Sequence, residues 1–264
     1  MMTTTAAARY RSGAARMEWR KLRTVRSTWW ILALFAAGVL GYATLVGAGG
    51  PTQPDPNYDP TNNVLQGLLF GQLTLGILGA LTLSSEFGTG SIGATFAAVP
   101  RRGRVLAAKA AVLAAVTLVA GEVLAFAGAV TFALAAPAGV PHPPLGQLAG
   151  LRAVLLTGAY PCLIALIALG LAALIRHTAG AIGAIVGLTF VLPLILLPLA
   201  RHSSILRFLP EAIEVNSLAA VKPVADQSIA VTDPLSAWAG FAVLCLYAAV
   251  ALAIGGWALL RRDA

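Results

Sequence analysis

Apolar residues run in long blocks along this chain, and charges fall almost wholly between the blocks. No charged residue lies between Arg26 and Asp55, and Trp29–Ala48 forms the first block. Asp59 and Glu86 bracket the second, about Asn63–Leu83. Lys109 opens the third, which runs to about Ala136 and holds one acid, Glu122. Arg152 and Arg176 bracket the fourth, Ala179–Ala200 is the fifth, and Ser236–Leu260 is the sixth, closed by Arg261 and Arg262. A helix crosses the hydrocarbon core with roughly 20 apolar residues, so each block is long enough to span. The predicted fold is an all-α membrane protein with six transmembrane helices in one domain, 1–264. Within it, 1–28 is an N-terminal interface segment, 29–260 the six-span bundle and 261–264 a tail.

The links carry the residues that stop helices. Gly49, Gly50, Pro51, Pro54, Pro56 and Pro60 follow the first block, and Pro137, Pro141, Pro143 and Pro144 follow the third. Proline lacks the amide donor a helix interior needs. Inside the blocks, Pro161, Pro193 and Pro198 predict kinks, tolerated where neighbours satisfy the freed carbonyls. Gly67-x-x-x-Gly71 and Gly183-x-x-x-Gly187 have the spacing that admits close helix contact, a pattern that also arises by chance in Ala- and Gly-rich spans.

Composition agrees with this pattern. Hydrophobic residues make up 58% of the 264 and charged residues 11%, against about a quarter in soluble domains. Mean hydropathy is +0.83. The net charge of +8 would suit a nucleic-acid partner, but its placement does not. With six spans the links alternate sides. One side then collects Arg9, Arg11, Arg16, Arg20, Lys21, Arg23, Arg26, Arg101, Arg102, Arg104, Lys109, Arg176, Arg261 and Arg262, and the other only Arg152, Arg201, Arg207 and Lys222. Fourteen against four makes the first side, with both chain ends, the expected cytoplasmic side. The acids Asp55, Asp59, Glu211, Glu214, Asp226 and Asp233 fall on the other. A secretory signal is a poor reading of the start: the first block is long enough to span, and its basic lead-in exceeds a usual n-region.

Two segments on the basic side invite a functional reading. Before the first span, Ala15, Trp19 and Leu22 recur at helical spacing, with Val25 and Trp29 extending the stripe, while Arg16, Arg20 and Arg23 recur on an adjacent face. Such a helix lies well among headgroups, either as a plain anchor or as a lever that touches a partner. Between spans two and three, residues 84–104 read as a short helix that Ser84 or Ser85 caps and whose positive end Glu86 suits. Pro100 then breaks the chain and a basic cluster anchors span three. Gly88-x-Gly90-x-x-Gly93 matches the dinucleotide fingerprint as a string, but that fingerprint requires a preceding strand and a βαβ unit. No phosphate-loop motif occurs, so the chain has no visible means to bind ATP.

The pattern Glu86-Phe87-Gly88-Thr89-Gly90, then Pro100-Arg101-Arg102, then Leu106 and Lys109, resembles the cytoplasmic link of membrane permeases of type-two ATP-binding-cassette exporters. The six spans, the basic interface helix and the long outer link between spans five and six are similar to those permeases too. The sequence-specific part of the likeness is confined to residues 84–109. It implies that Glu86, Phe87, Gly88, Thr89, Gly90, Pro100, Arg101 and Arg102 form a coupling helix onto a separate ATPase, beside the interface helix with Arg16, Trp19, Arg20 and Arg23. It further implies two ATPase subunits holding ATP and magnesium, a second permease copy, and a bacterial cell membrane. The chain itself would bind no cofactor and hydrolyse nothing.

Glu122 is the one charge inside a span, and such residues are costly and tend to face a cavity or a partner. It reads as a contact along a translocation path or as an interhelical hydrogen bond. Asn63, Gln66, Gln72 and Tyr160 are weaker path candidates. The outer link Arg201–Asp233 is too long for a bare turn, and by resemblance it forms short helices dipping into the outer leaflet, where Glu211 and Glu214 can meet Arg207. His142, His177 and His202 are scattered, so no metal site is expected, and Cys162 and Cys245 read as small buried hydrophobes. The rival readings are a membrane-embedded enzyme, which needs an acid or histidine cluster, an ion-coupled transporter, which usually places several ionisable groups at midplane, and a membrane anchor or assembly factor with no transport.

Overall fold

Each apolar block folds as a helix, and several helices run on through the charges that bound them in sequence. The computed structural model describes residues 4–51, 58–98, 102–199, 203–221, 231 and 233–261. Among them, six helical stretches are long and apolar enough to cross a membrane: Arg26–Ala48, Pro60–Gly88, Arg102–Ala135, Leu148–Ile175, Thr178–Leu196 and Ala237–Arg261, here spans one to six. No strand occurs among the described residues. Helix α1 (Thr4–Thr24) precedes α2 (Arg26–Ala48), which is span one. Span two comprises α3 (Pro60–Leu65), a 3-10 turn and α4 (Leu69–Gly88). The short α5 (Ile92–Ala98) leads to α6 (Arg102–Ala135), and α7 (Leu148–Ile175) is span four. Span five joins α8 (Thr178–Val186) to α9 (Leu192–Leu199); α10 (Pro210–Ile213) lies in the outer link, and α11 (Ala237–Arg261) is span six.

Spans two and four form the centre. About 67% of the residues in the apolar stretch of each are buried, against 22–28% in the other four spans. Lipid is as apolar as leucine, so close packing rather than escape from water must hold such helices together. Small residues supply that closeness. A Cβ placed on Gly79 of α4 would overlap the carbonyl of Ala165 in α7, and one on Gly121 of α6 would overlap that of Gly158 in α7. Gly71 likewise makes room for Phe35 and Pro161, so the Gly67/Gly71 pair is a true contact. Gly183 and Gly187 face open space, and that second pair is incidental to packing. The outer faces keep large apolar side chains exposed, Leu34 at 64%, Leu134 at 83% and Leu194 at 75%, as lipid-facing residues should be. Exposed Trp29 and Trp30 begin span one, and Trp257 lies near the end of span six, where aromatic rings favour the interface.

Three local expectations need correction. Helix α4 does not stop before Ser84: residues 84–88 continue it, because nothing from Thr82 to Phe87 breaks a helix, and the Ser85 and Thr89 hydroxyls bond back to carbonyls four residues earlier. Glu86 therefore closes span two instead of opening a new helix. The turn comes at Gly90, whose φ of +70° suits glycine alone. Span three begins two turns before Lys109, at Arg102, and Lys109 is 1% exposed inside it. The N-terminal stripe breaks at Val25, which is extended and exposed, so it does not continue into Trp29. Of the kinks, the one near Pro193 has a visible cause: residues Gly187–Val191 widen into a π turn just ahead of the proline, relieving its clash with the previous turn.

Candidate functional site

The conspicuous site is an ionic joint where α1, α4, α5 and α6 meet. On α1, the side facing the bundle carries Glu18, 3% exposed, and Leu22, while Arg16, Trp19, Arg20 and Arg23 point outward. Trp29 closes the helix from the other side of the break, its Nε1 donating to the Arg23 carbonyl at 2.9 Å. Lys109 reaches into the joint from α6. Its ammonium has three hydrogens and finds three acceptors: Glu18 Oε2 at 2.9 Å, Glu86 Oε1 at 2.5 Å and the Thr82 carbonyl at 3.1 Å. Glu86 Oε1 also accepts from Lys21 at 2.8 Å, and Glu86 Oε2 accepts from the Thr95 hydroxyl of α5 at 3.0 Å. Two acids and two lysines thus bind the interface helix, the end of span two, the short link helix and the start of span three. Burial alone would lower the pKa of Lys21, but the Glu86 hydrogen bond and the charges of Glu18 and Glu86 outweigh it and raise the value.

A cleft of about 510 Å³ opens beside the joint, lined by Leu22 and Val25 on one side and Leu78, Leu81 and Ala94 on the other, with Glu18, Lys21 and Glu86 at its polar end. Beyond the joint the link is bare: Gly88, Thr89, Gly90, Ser91, Gly93, Ala94 and Ala97 are all exposed. Phe87 is half-buried with the Arg176 guanidinium 5.4 Å from its ring centroid. Arg102 lies 5.2 Å from the Phe96 ring and donates to the Leu259 carbonyl at 3.1 Å, while Arg176 donates to that of Ala258 at 3.1 Å. Both cations thereby satisfy last-turn carbonyls of α11 at its negative end. Pro100 and Arg101 lie outside the described residues.

The path candidates separate. Gln72 and Tyr160, 1% and 0% exposed, are joined by a 2.7 Å hydrogen bond inside the bundle. Asn63 donates to the Asp59 carbonyl, and Gln66 donates to Asn62 Oδ1, so both bond within their own helix. Glu122 is half-buried against Gly158 of span four, and its Oε2 is enclosed without a hydrogen-bond partner. His177 caps α8, its Nδ1 accepting the Gly180 amide, His142 is exposed, and His202 lies outside the described residues. Among the described residues no group of three or more metal-ligating side chains occurs. Cys162 is a buried free thiol, as expected, while Cys245 is only half-buried.

The opposite end holds what the sequence did not single out. Asp59 caps α3 through Oδ1 and accepts the Val221 amide through Oδ2 at 2.7 Å, and Asn62 donates to the Val215 carbonyl at 2.6 Å. These bonds bind the outer link, folded as short helical turns over Ser204–Leu218, onto the start of span two. Arg207 pairs with Asp233 at 3.0 Å and not with Glu211 or Glu214. Glu214 is fully buried, with no partner for either oxygen among the described residues. Burial, and secondarily the charge of Glu211, push its pKa well above the ordinary carboxylate range.

At the ionic joint, sequence reasoning had named Glu86 but missed Glu18. The signal was available: Glu18 is the only acid before Asp55, set among seven basic residues. The fold defines a multi-pass, all-α membrane protein with a charge-locked joint at the end that gathers its basic links. No protein-family model matches the chain, and no curated protein matches it.

Proposed function

We propose that this chain is the membrane subunit of an ATP-driven exporter of the type-two ATP-binding-cassette kind, moved by separate ATPase subunits docked at its basic end. In this reading that end is cytoplasmic, the membrane is a bacterial plasma membrane, and a second permease copy completes the path. One observation carries the proposal: an exposed link tip, Gly88–Ser91 with Gly93, Ala94 and Ala97, is rooted in a buried ionic joint that ties four helices together. A force on the tip reaches spans two and three and the interface helix at once. A ligand shifts a conformational equilibrium only through contacts that differ between states, and a bare tip on a stiff root is suited to make them. Glu86 then acts as part of the root and not as the surface the ATPase meets.

The test is substitution at the tip without injury to the root. A side chain at Gly93 meets nothing within 4 Å and its backbone is unstrained, so Gly93→Lys leaves the fold intact. The expected result is a chain that inserts normally but loses its co-purifying ATPase under mild detergent extraction. A lone chain that is fully active, or a tip labelled from outside the cell, overturns the reading.

A further inference from the structure

The enclosed carboxyl of Glu214 has no role in the joint just described, and its surroundings are unusual. It is 0% exposed, and it begins a π turn, Glu214–Leu218, a geometry that often accompanies function. Among the described residues, the elements around it offer no compensating cation. Span four brings Tyr160, and Arg152, whose Nη2 donates to the Ala220 carbonyl while its Nε is buried without a hydrogen-bond partner among those residues. Span one brings Tyr42, which lies within electrostatic reach. The start of span two brings Asp59, and α10 brings Glu211, a second acid. Span six presents Gly240 to Ile213 and Ser217. An ionised carboxylate with no cation and no donor is too costly to enclose, so in this conformation the group is a neutral acid.

We infer that Glu214 is a proton-binding site, and that the proton it holds latches the outer link onto the bundle. Closing the link takes up one proton onto a carboxylate oxygen. Opening it exposes the carboxyl to water and releases that proton. No other bond changes. The inference stands on the outer link alone and is independent of the ATPase assignment.

The sign follows from the raised value. The closed state holds its proton more tightly than the open state does. The latch is at full strength below the ordinary carboxyl range, near 4.5, and weakens as pH rises through the raised value of the closed state. One proton limits the effect to about tenfold in the opening equilibrium per pH unit.

The experiment uses the full chain in lipid nanodiscs. Infrared difference spectra of wild type against Glu214→Gln should show a protonated carboxyl band at neutral pH that the variant lacks. A cysteine placed at Ser217, 4% exposed in the closed link, should react with a membrane-impermeant maleimide, and its rate divided by that of a free thiol at the same pH, which cancels the thiolate's own pH dependence, should rise by up to about tenfold per unit. With Glu214→Gln added, this normalised rate should be flat. Absence of the wild-type band at neutral pH overturns the site. A pH dependence of the normalised rate that survives Glu214→Gln overturns the latch. If that variant does not fold, Glu214→Asp should keep a protonated carboxyl band at a shifted frequency, and an unshifted band overturns the site.

Discussion

Acids are buried at both ends of this bundle, but under opposite terms. At the basic end, Glu18 and Glu86 are enclosed with Lys109 and Lys21, and every hydrogen of the Lys109 ammonium has an acceptor. At the other end, Glu214 is enclosed with another acid nearby and no donor among the described residues. The first arrangement keeps its charges by matching them and becomes a rigid tie between helices. The second gives up its charge and becomes sensitive to protons. Burial alone therefore does not say what an acid does: the partner set decides.

The largest effect expected from this contrast is at Lys109. Replacing it by methionine keeps the volume but leaves Glu18 and Glu86 enclosed, with only the half-exposed Lys21 to meet them. Removing one partner of a buried ion pair costs about 3–5 kcal/mol, so Lys109→Met should sharply lower the thermal midpoint in detergent. Adding Glu18→Gln and Glu86→Gln to it should restore much of the loss. Additive losses would mean that the four groups do not act as one joint.

The same conservative change, glutamate to glutamine, gives the sharpest comparison between the ends. Glu86→Gln removes charged acceptors from two lysines and should cost about 1.5–3 kcal/mol. Glu214→Gln replaces a neutral acid by a neutral amide of similar shape. It should leave the midpoint near wild type in acid and raise it relative to wild type as pH increases. Equal costs at both positions would show that Glu214 is ionised, and the contrast would collapse.

How much of this was legible in sequence differs between the ends for a physical reason. The six spans were readable because lipid demands long apolar blocks, and the charges that bracket them fixed the bounds to within a few residues at most ends. The joint was half-legible. Lys109 and Glu86 were noticed as boundary charges, but helices have no duty to stop at a charge. With Glu18, Thr82 and Thr95 as partners, α4 and α6 could carry those charges inward, which moved both helix ends. The outer end was nearly illegible. Nothing in the spacing of Glu211, Glu214 and Arg207 says that Arg207 turns away to Asp233 while Glu214 turns in. That choice depends on Gly240, which makes room for Ile213 and Ser217 and so seats the link against span six.

The smallest effect lies at the Arg207–Asp233 pair, and it marks where the comparison stops. This bridge joins the beginning and the end of the outer link at 3.0 Å, yet Asp233 is 81% exposed. Exposed pairs of this kind are worth roughly 0.2–1 kcal/mol and are screened by salt. Arg207→Ala should therefore shift the thermal midpoint only slightly, and raising the salt concentration should erase the difference from wild type. The Arg207 guanidinium also stacks 5.2 Å from the Phe208 ring, so Arg207→Lys should lose part of that contact while keeping the charge. A salt-insensitive loss of several kcal/mol would mean that the outer link is held mainly by this surface pair. The bonds from Asp59 and Asn62, and the protonated Glu214 beneath them, would then be secondary.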